Sequence, residues 1–205
     1  LAALLANLKR GPWIGVFFGL AFFLGKVKPK FLLPLFAFCL TIFATVPSIR
    51  DRLEESYNHF VIRGGRLIMW EVGSELVAKY PLGIGFGNSK FMRELDPSIP
   101  EVHRHFHNNF LNVTVETGWP GLLLYCWWIL GSIYLALKRS SSASPQKRIA
   151  LLAISTSLLS WQIAGLVEYS FGDSEVLFTA FVILGILGSL IIDKTKSDLL
   201  NQPIE

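Results

Sequence analysis

An all-α integral membrane bundle is the fold class this sequence predicts, and three observations predict it. Hydrophobic residues make up 52% of the 205-residue chain and charged residues only 17%, an apolar load that a soluble domain of this size struggles to hide. The apolar residues gather in blocks that approach the roughly 20 residues a helix needs to cross a bilayer. Those blocks run without the alternation of a transmembrane strand, which leaves helices as the way to satisfy backbone groups in lipid.

The elements follow in order. A single membrane domain is expected over residues 1–205, with spans at about 11–25, 31–46, 119–137, 149–167 and 176–192. The first two are short and depend on their neighbours; the other three are long enough by themselves. The opening Leu1-Ala2-Ala3-Leu4 has neither Met nor a signal-peptide layout, so the chain is expected to be the C-terminal fragment of a longer polytopic protein. Lys26, Lys28 and Lys30 join spans one and two, Lys138, Arg139, Lys147 and Arg148 join spans three and four, and Lys194 and Lys196 follow span five. Positive residues favour the cytoplasm. That rule places these links and the C-terminus inside and the long segment of about 48–118 outside, in the periplasm of a Gram-negative cell. It also accounts for most of the +4 net charge, so no nucleic-acid partner is implied. Arg10 then sits at the outer end of span one, where positive charge has no topological role beyond snorkelling to headgroups. Cys39 and Cys126 lie inside apolar blocks and read as small buried hydrophobes with neither metal nor disulfide spacing.

Within the outer loop, Leu67, Trp70, Leu76, Val77 and Tyr80 fall near helical spacing, with Glu71, Glu75 and Lys79 on the other face. This predicts an amphipathic helix lying on the membrane or under a neighbour, ended by Pro81. Pro81 to Gly87 is a glycine-shaped turn that allows a tight bend beside the histidine segment, and a second helix is expected over His107 to Thr117, stopping before Gly118. Ser140 to Ser144 is a cytoplasmic linker, and the sequence has no internal repeat.

Two groups in this loop can carry chemistry. His103, His105 and His107 alternate; as a strand all three rings share a side, and as a helix His103 and His107 share a face. The cluster suits a metal site, although no carboxylate or Cys nearby in sequence completes a ligand set. It equally suits a general base or acid near neutral pH, or simply a set of surface loop histidines. Arg63, Arg66 and Arg104 add positive charge, and the planar guanidinium fork fits phosphate; for Arg63 and Arg104, pairing with Asp51, Glu54, Glu55 or Glu101 is the preferred reading. The glycines at 83–87 follow no strand and are no nucleotide fingerprint. The sequon at Asn112-Val113-Thr114 falls in a predicted helix beside the membrane and is set aside.

Four elements taken in order resemble the signature of the O-antigen ligase and polymerase superfamily of bacterial membrane glycosyltransferases. They are Arg10-Gly11 before a span, Arg66-Leu67-Ile68-Met69-Trp70 at a helix start, the Pro81-Leu82-Gly83-Ile84-Gly85-Phe86-Gly87 turn, and His107-Asn108 followed after nine residues by Gly118 and Gly121. The last spacing is the most specific. His103, Arg104 and the Pro120 within Gly-x-x-Gly depart from the pattern, and Pro120 is expected to kink the start of span three.

The resemblance implies a C-type glycosyltransferase-like helical bundle in the bacterial inner membrane. It implies a glycan donor on undecaprenyl pyrophosphate, an acceptor that is lipid A core or a growing glycan, and transfer without metal or cofactor. It implies that His107 is the catalytic base, that Arg66 and Arg10 hold the pyrophosphate, and that His105, Asn108, Trp70 and Gly85 lie at the substrate. Two further classes stay open: a transporter of lipid-linked sugars, for which Glu168 and Asp173 near the outer ends of spans four and five are the nearest site, and a metal-binding or structural subunit resting on the histidines.

Overall fold

A computed structural model describes residues 10–61 and 65–200, with the side chains at 10, 52–54, 56–59 and 193–200 outside that description. Helices occupy most of each of the five segments, the fourth stopping at Ala164: α1 Arg10–Val27, α2 Leu32–Thr45, α5 Asn109–Ser140, α6 Pro145–Ala164 and α7 Ser174–Leu200. By length and composition Asn109–Ser140 and Ser174–Ile192 are long and apolar enough to cross a membrane, while Gly11–Val27 and Pro29–Thr45 are shorter apolar helices. Between them the loop forms α3 Pro47–Val61, α4 Arg66–Lys79 and two single-turn segments at Asn88–Phe91 and Met92–Leu95. No strand occurs among the described residues. Cys39 and Cys126 are free and only half-buried rather than fully inside.

Small residues decide the packing of α1 on α6. Gly11, Gly15 and Gly19 recur every four residues, so they share one face of α1. A side chain at Gly11 would meet Glu168, one at Gly15 the Ser160 carbonyl, and one at Gly19 the Ser160 hydroxyl. The two helices are therefore antiparallel in near backbone contact. Lys26 and Val27 accordingly meet Pro145 and Arg148 at the end of the pair opposite Glu168.

Helix α5 is two helices joined at a corner. Gly118 has φ 71° and ψ −174°, a conformation that only glycine adopts readily. The Phe110 and Tyr125 rings lie 5.7 Å apart across that corner; 15 residues along a straight helix would separate them by about 22 Å. The first half of α5 thus folds back against the second. Pro120 is not the kink: it lies in the first turn after the corner, where a missing N–H costs little.

The glycine turn seats in this corner, and just after it Ser89 Oγ donates to the Arg104 carbonyl at 2.9 Å, within the histidine segment. Ile84 and Gly85 donate their N–H groups to the Val115 and Glu116 carbonyls at 2.9 and 3.0 Å, and Trp119 donates to the Pro81 carbonyl at 3.0 Å. Backbone groups that the broken helix leaves orphaned are satisfied in this way. A Cβ on Gly83 would lie 2.5 Å from the Glu116 carbonyl oxygen, and one on Gly118 would lie 2.5 Å from the Leu82 Cα. The two glycines permit one backbone to rest directly on the other.

The first half of α5 joins two cores. Val113 belongs to the inter-helix core with Tyr125, Ile129, Leu151 and Leu158. Val115 belongs to the loop's own core with Met69, Val72, Leu76, Met92, Ile99 and Phe106. The amphipathic reading of α4 holds for its extent, which ends before Pro81, but its buried face is Met69, Val72, Gly73 and Leu76. Leu67 and Tyr80, expected on that face, are exposed. The helix packs on α5, and Met69 and Val72 supply the period that a reading from Leu67 missed.

Gly118→Ala is expected to destabilise the detergent-solubilised protein by at least about 2 kcal/mol through positive-φ strain plus the clash with Leu82. Gly185→Ala, in open space within its helix, should leave the melting temperature within a degree or two. Equal melting of the two variants would contradict the corner described here.

Candidate functional site

The site is assembled around the histidine segment, and the sequence on either side of His107 is spent on holding it. Phe106 is fully buried. Its N–H donates to Asn112 Oδ1 at 3.2 Å, and its carbonyl accepts from Trp70 Nε1 at 2.8 Å. Asn108 caps α5, its Oδ1 accepting from the Leu111 N–H at 3.0 Å while its Nδ2 donates to the Leu166 carbonyl at 3.0 Å. Between these anchors His107 has φ 48°, the only positive φ at a non-glycine among the described residues. A left-handed histidine costs conformational energy and persists only when its surroundings over-determine it. The His107 N–H donates to His105 Nδ1 at 3.3 Å, and the two rings meet edge-on at 4.4 Å.

Asn109 brings the chain after α6 to the same place. It is fully buried. Its N–H donates to the Gly165 carbonyl at 2.7 Å, and its Oδ1 accepts from the N–H groups of Ser170 and Phe171 at 2.8 and 3.0 Å. The stretch 165–171 is thereby laid over the start of α5, and Glu168 is delivered to His107.

Glu168 is the hub. Arg66 Nη2 donates to its Oε1 at 2.8 Å, and His107 Nδ1 faces its Oε2 at 3.5 Å. The three side chains are 16%, 18% and 25% exposed for Arg66, His107 and Glu168, so the cluster is sheltered yet reachable. Burial pushes the Glu168 carboxyl up, but the hydrogen bond from His107 and the charge and hydrogen bond of Arg66 outweigh it and hold it below its ordinary 4.5. Glu168 therefore stays anionic. Arg66 opens α4 and lies over the Phe60 ring, 5.3 Å from its centroid. Phe60 in turn packs edge-on against Trp70 at 5.7 Å.

On the other side of His107, its Nε2 lies 3.3 Å from His103 Nδ1. His105 is pushed down to about 4, by burial first and then by the charge of His107, with Glu168 opposing. It is a neutral partner at neutral pH. The Tyr169 ring lies against His105 at 5.1 Å; burial, then Glu116 and Asp173, push its phenol up to about 12.

Of the residues singled out in the sequence, Arg66, His103, His105 and His107 converge. The Arg10 side chain and all of Arg63 lie outside the described residues, but Gly11, next to Arg10, rests against the Glu168 side chain. Trp70 and Asn108 spend their polar groups on the scaffold. Gly85 spends its N–H on the corner. Arg104 is exposed, and Glu101, one expected partner, pairs with Arg93 at 2.9 Å. Glu168 was placed by sequence with Asp173 as a separate candidate; only folding reveals it as the partner of Arg66 and His107. Its signal was its place in a link without Lys or Arg. Among the described residues no three His, Cys, Asp or Glu side chains form a metal-ligating group.

The family model described as O-antigen ligase matches residues 1–126, a range that holds Arg10, Arg66 and His107 and stops short of Glu168. Comparison with curated proteins and with solved structures gave no match.

The site carries its own pH window. The folded state keeps His105 neutral down to about 4 against an ordinary 6.5, so the unfolded chain binds a proton first as pH falls. Stability is full above 6.5 and is lost from there down through about 4; the depressed Glu168 adds a further loss that begins near its ordinary 4.5 and is complete once pH has fallen through its folded value. Melting temperature should be flat above pH 6.5 and decline below it, with a shallower decline in His105→Gln. A melting temperature that rose on acidification would contradict the buried, neutral His105.

Proposed function

The chain belongs to the O-antigen ligase family, and on that premise we propose that it transfers a glycan from undecaprenyl pyrophosphate to an acceptor hydroxyl at the periplasmic face of the inner membrane. The observation that carries this reading is the Glu168 carboxylate shared by Arg66 and His107, side chains that lie 102 and 61 positions from it in sequence.

The chemistry follows from protonation. Anionic Glu168 selects the tautomer of His107 with its proton on Nδ1, which leaves Nε2 as the base. Nε2 removes the acceptor hydroxyl proton as the oxygen attacks the anomeric carbon. The bond from that carbon to the pyrophosphate breaks, and its electron pair goes to the leaving phosphate oxygen. Glu168 meanwhile steadies the imidazolium, as a carboxylate does behind a catalytic histidine. Arg66 gives one nitrogen to Glu168 and keeps its other N–H donors for a phosphate oxygen, where they stabilise the charge that develops as the bond breaks. Arg10, next to the glycine that touches Glu168, supplies the second cation. Asn108, Asn109 and Trp70 keep the base in register, and the apolar helices carry the polyprenyl tail.

The acceptor is lipid A core or a growing glycan. Surface polysaccharide from a deletion strain distinguishes them: uncapped core with polymer retained on its carrier marks a ligase, and single repeat units on the core mark a polymerase.

His107→Ala is expected to lower transfer of a lipid-linked glycan by about 10²–10⁴-fold, with Arg66→Ala comparably impaired and both proteins inserted normally. Glu168→Gln, which keeps the shape but loses the charge, should cut the rate at least about tenfold. Wild-type transfer by His107→Ala in reconstituted vesicles would end this mechanism.

A further inference from the structure

His103 stands outside the four sequence elements that carry the family resemblance, yet its ring touches the nitrogen that the mechanism needs. Its Nδ1 lies 3.3 Å from His107 Nε2, and the two rings meet nearly perpendicular, with centroids 5.2 Å apart. The opposite nitrogen of His107 is taken by Glu168. In the free protein both nitrogens of His107 therefore have a partner, and the basic one is held by another imidazole.

We propose that His103 is the proton relay of this site: it yields Nε2 of His107 to the acceptor hydroxyl and then takes the proton from that nitrogen and passes it to water. The proposal rests on His107 being the base.

The step balances. After transfer, His107 is an imidazolium with one N–H directed to Glu168 and one at Nε2. While it holds Nε2 of free His107, His103 carries its proton on Nδ1; once it has yielded that nitrogen it changes tautomer through water, so the Nε2 proton of His107 moves to a free Nδ1 lone pair and His103 then gives its own Nε2 proton to solvent. His107 returns to the tautomer that Glu168 selects, and His103 returns to its starting charge.

Position favours this route. His107 is sheltered on three sides by Glu168, by the His105 ring and by the Phe106 anchor. His103 is half-buried on the loop 101–107, with its N–H turned onto the Pro100 carbonyl at 3.0 Å. It is the next imidazole on the way out, and a side chain at the rim rotates far faster than an enzyme turns over. The titratable and charged groups facing it are His107 and His105 from its own segment and Arg66 from α4, with Glu168 behind His107. Burial first, then His107 and Arg66, depress its protonation below the ordinary 6.5, so at neutral pH it is free to accept. As pH falls through that depressed value it becomes protonated and the relay stops.

The test is lipid-linked glycan transfer by the full-length protein in vesicles, with His103→Phe and His103→Ala. His103→Phe keeps a ring against His107 but takes no proton. It should lower kcat by about tenfold or more while the acceptor KM stays near wild type. His103→Ala should be similarly slow, and added imidazole should restore it increasingly as pH rises through the pKa of free imidazole. A purely packing role for His103 predicts no such rescue. Wild-type kcat in His103→Phe, or failure of imidazole to restore His103→Ala, overturns the relay. If His107→Ala itself transfers glycan at the wild-type rate, the underlying mechanism fails instead, and the two failures are told apart by that variant.

Discussion

One carboxylate organises the candidate site of this protein. Glu168 is mostly buried, and a buried charge is costly unless paired and hydrogen-bonded. Here two partners from remote parts of the chain meet that requirement, a guanidinium at the start of α4 and an imidazole just before α5. Neither would hold its place without the other elements that reach the same point. Removing the carboxylate would leave Arg66 without its anion and His107 without the group that fixes its tautomer.

The geometry of that meeting is made by backbone, not by the site residues. The Gly118 corner folds the first half of α5 back on the second, and the Pro81–Gly87 turn caps the break. Asn109 then pins the segment after α6 across the start of α5. The glycine motif, which from sequence alone read as a bend beside the histidines, proves to be the capping piece of the broken helix. Its positive-φ glycines are needed because the two backbones touch there. Gly11 is likewise the place where α1 approaches Glu168 closely.

His107 itself is held in a left-handed backbone, and strain of about 1–3 kcal/mol at such a position is carried by the buried Phe106 on one side and the Asn108 cap on the other. That arrangement aims the ring into the gap between Glu168 and His103.

The sequence alone determined the helical elements, because continuous apolar blocks, Pro81 and the capping Asn108 act locally. It also determined which chemistry to seek, because Arg10, Arg66 and His107 stand at recognisable spacings. It could not set Glu168 apart from Asp173 and Glu175 in the same short link, since such acids are alike until a fold brings cations to one of them. Nor could it place the kink at Gly118 rather than Pro120, or turn the buried face of α4 to Met69 and Val72. Those outcomes depend on which surfaces meet. The tertiary structure decided them by the close approach of glycine backbones, Gly83 on Gly118 and Gly11 on Glu168, a property that no residue possesses by itself.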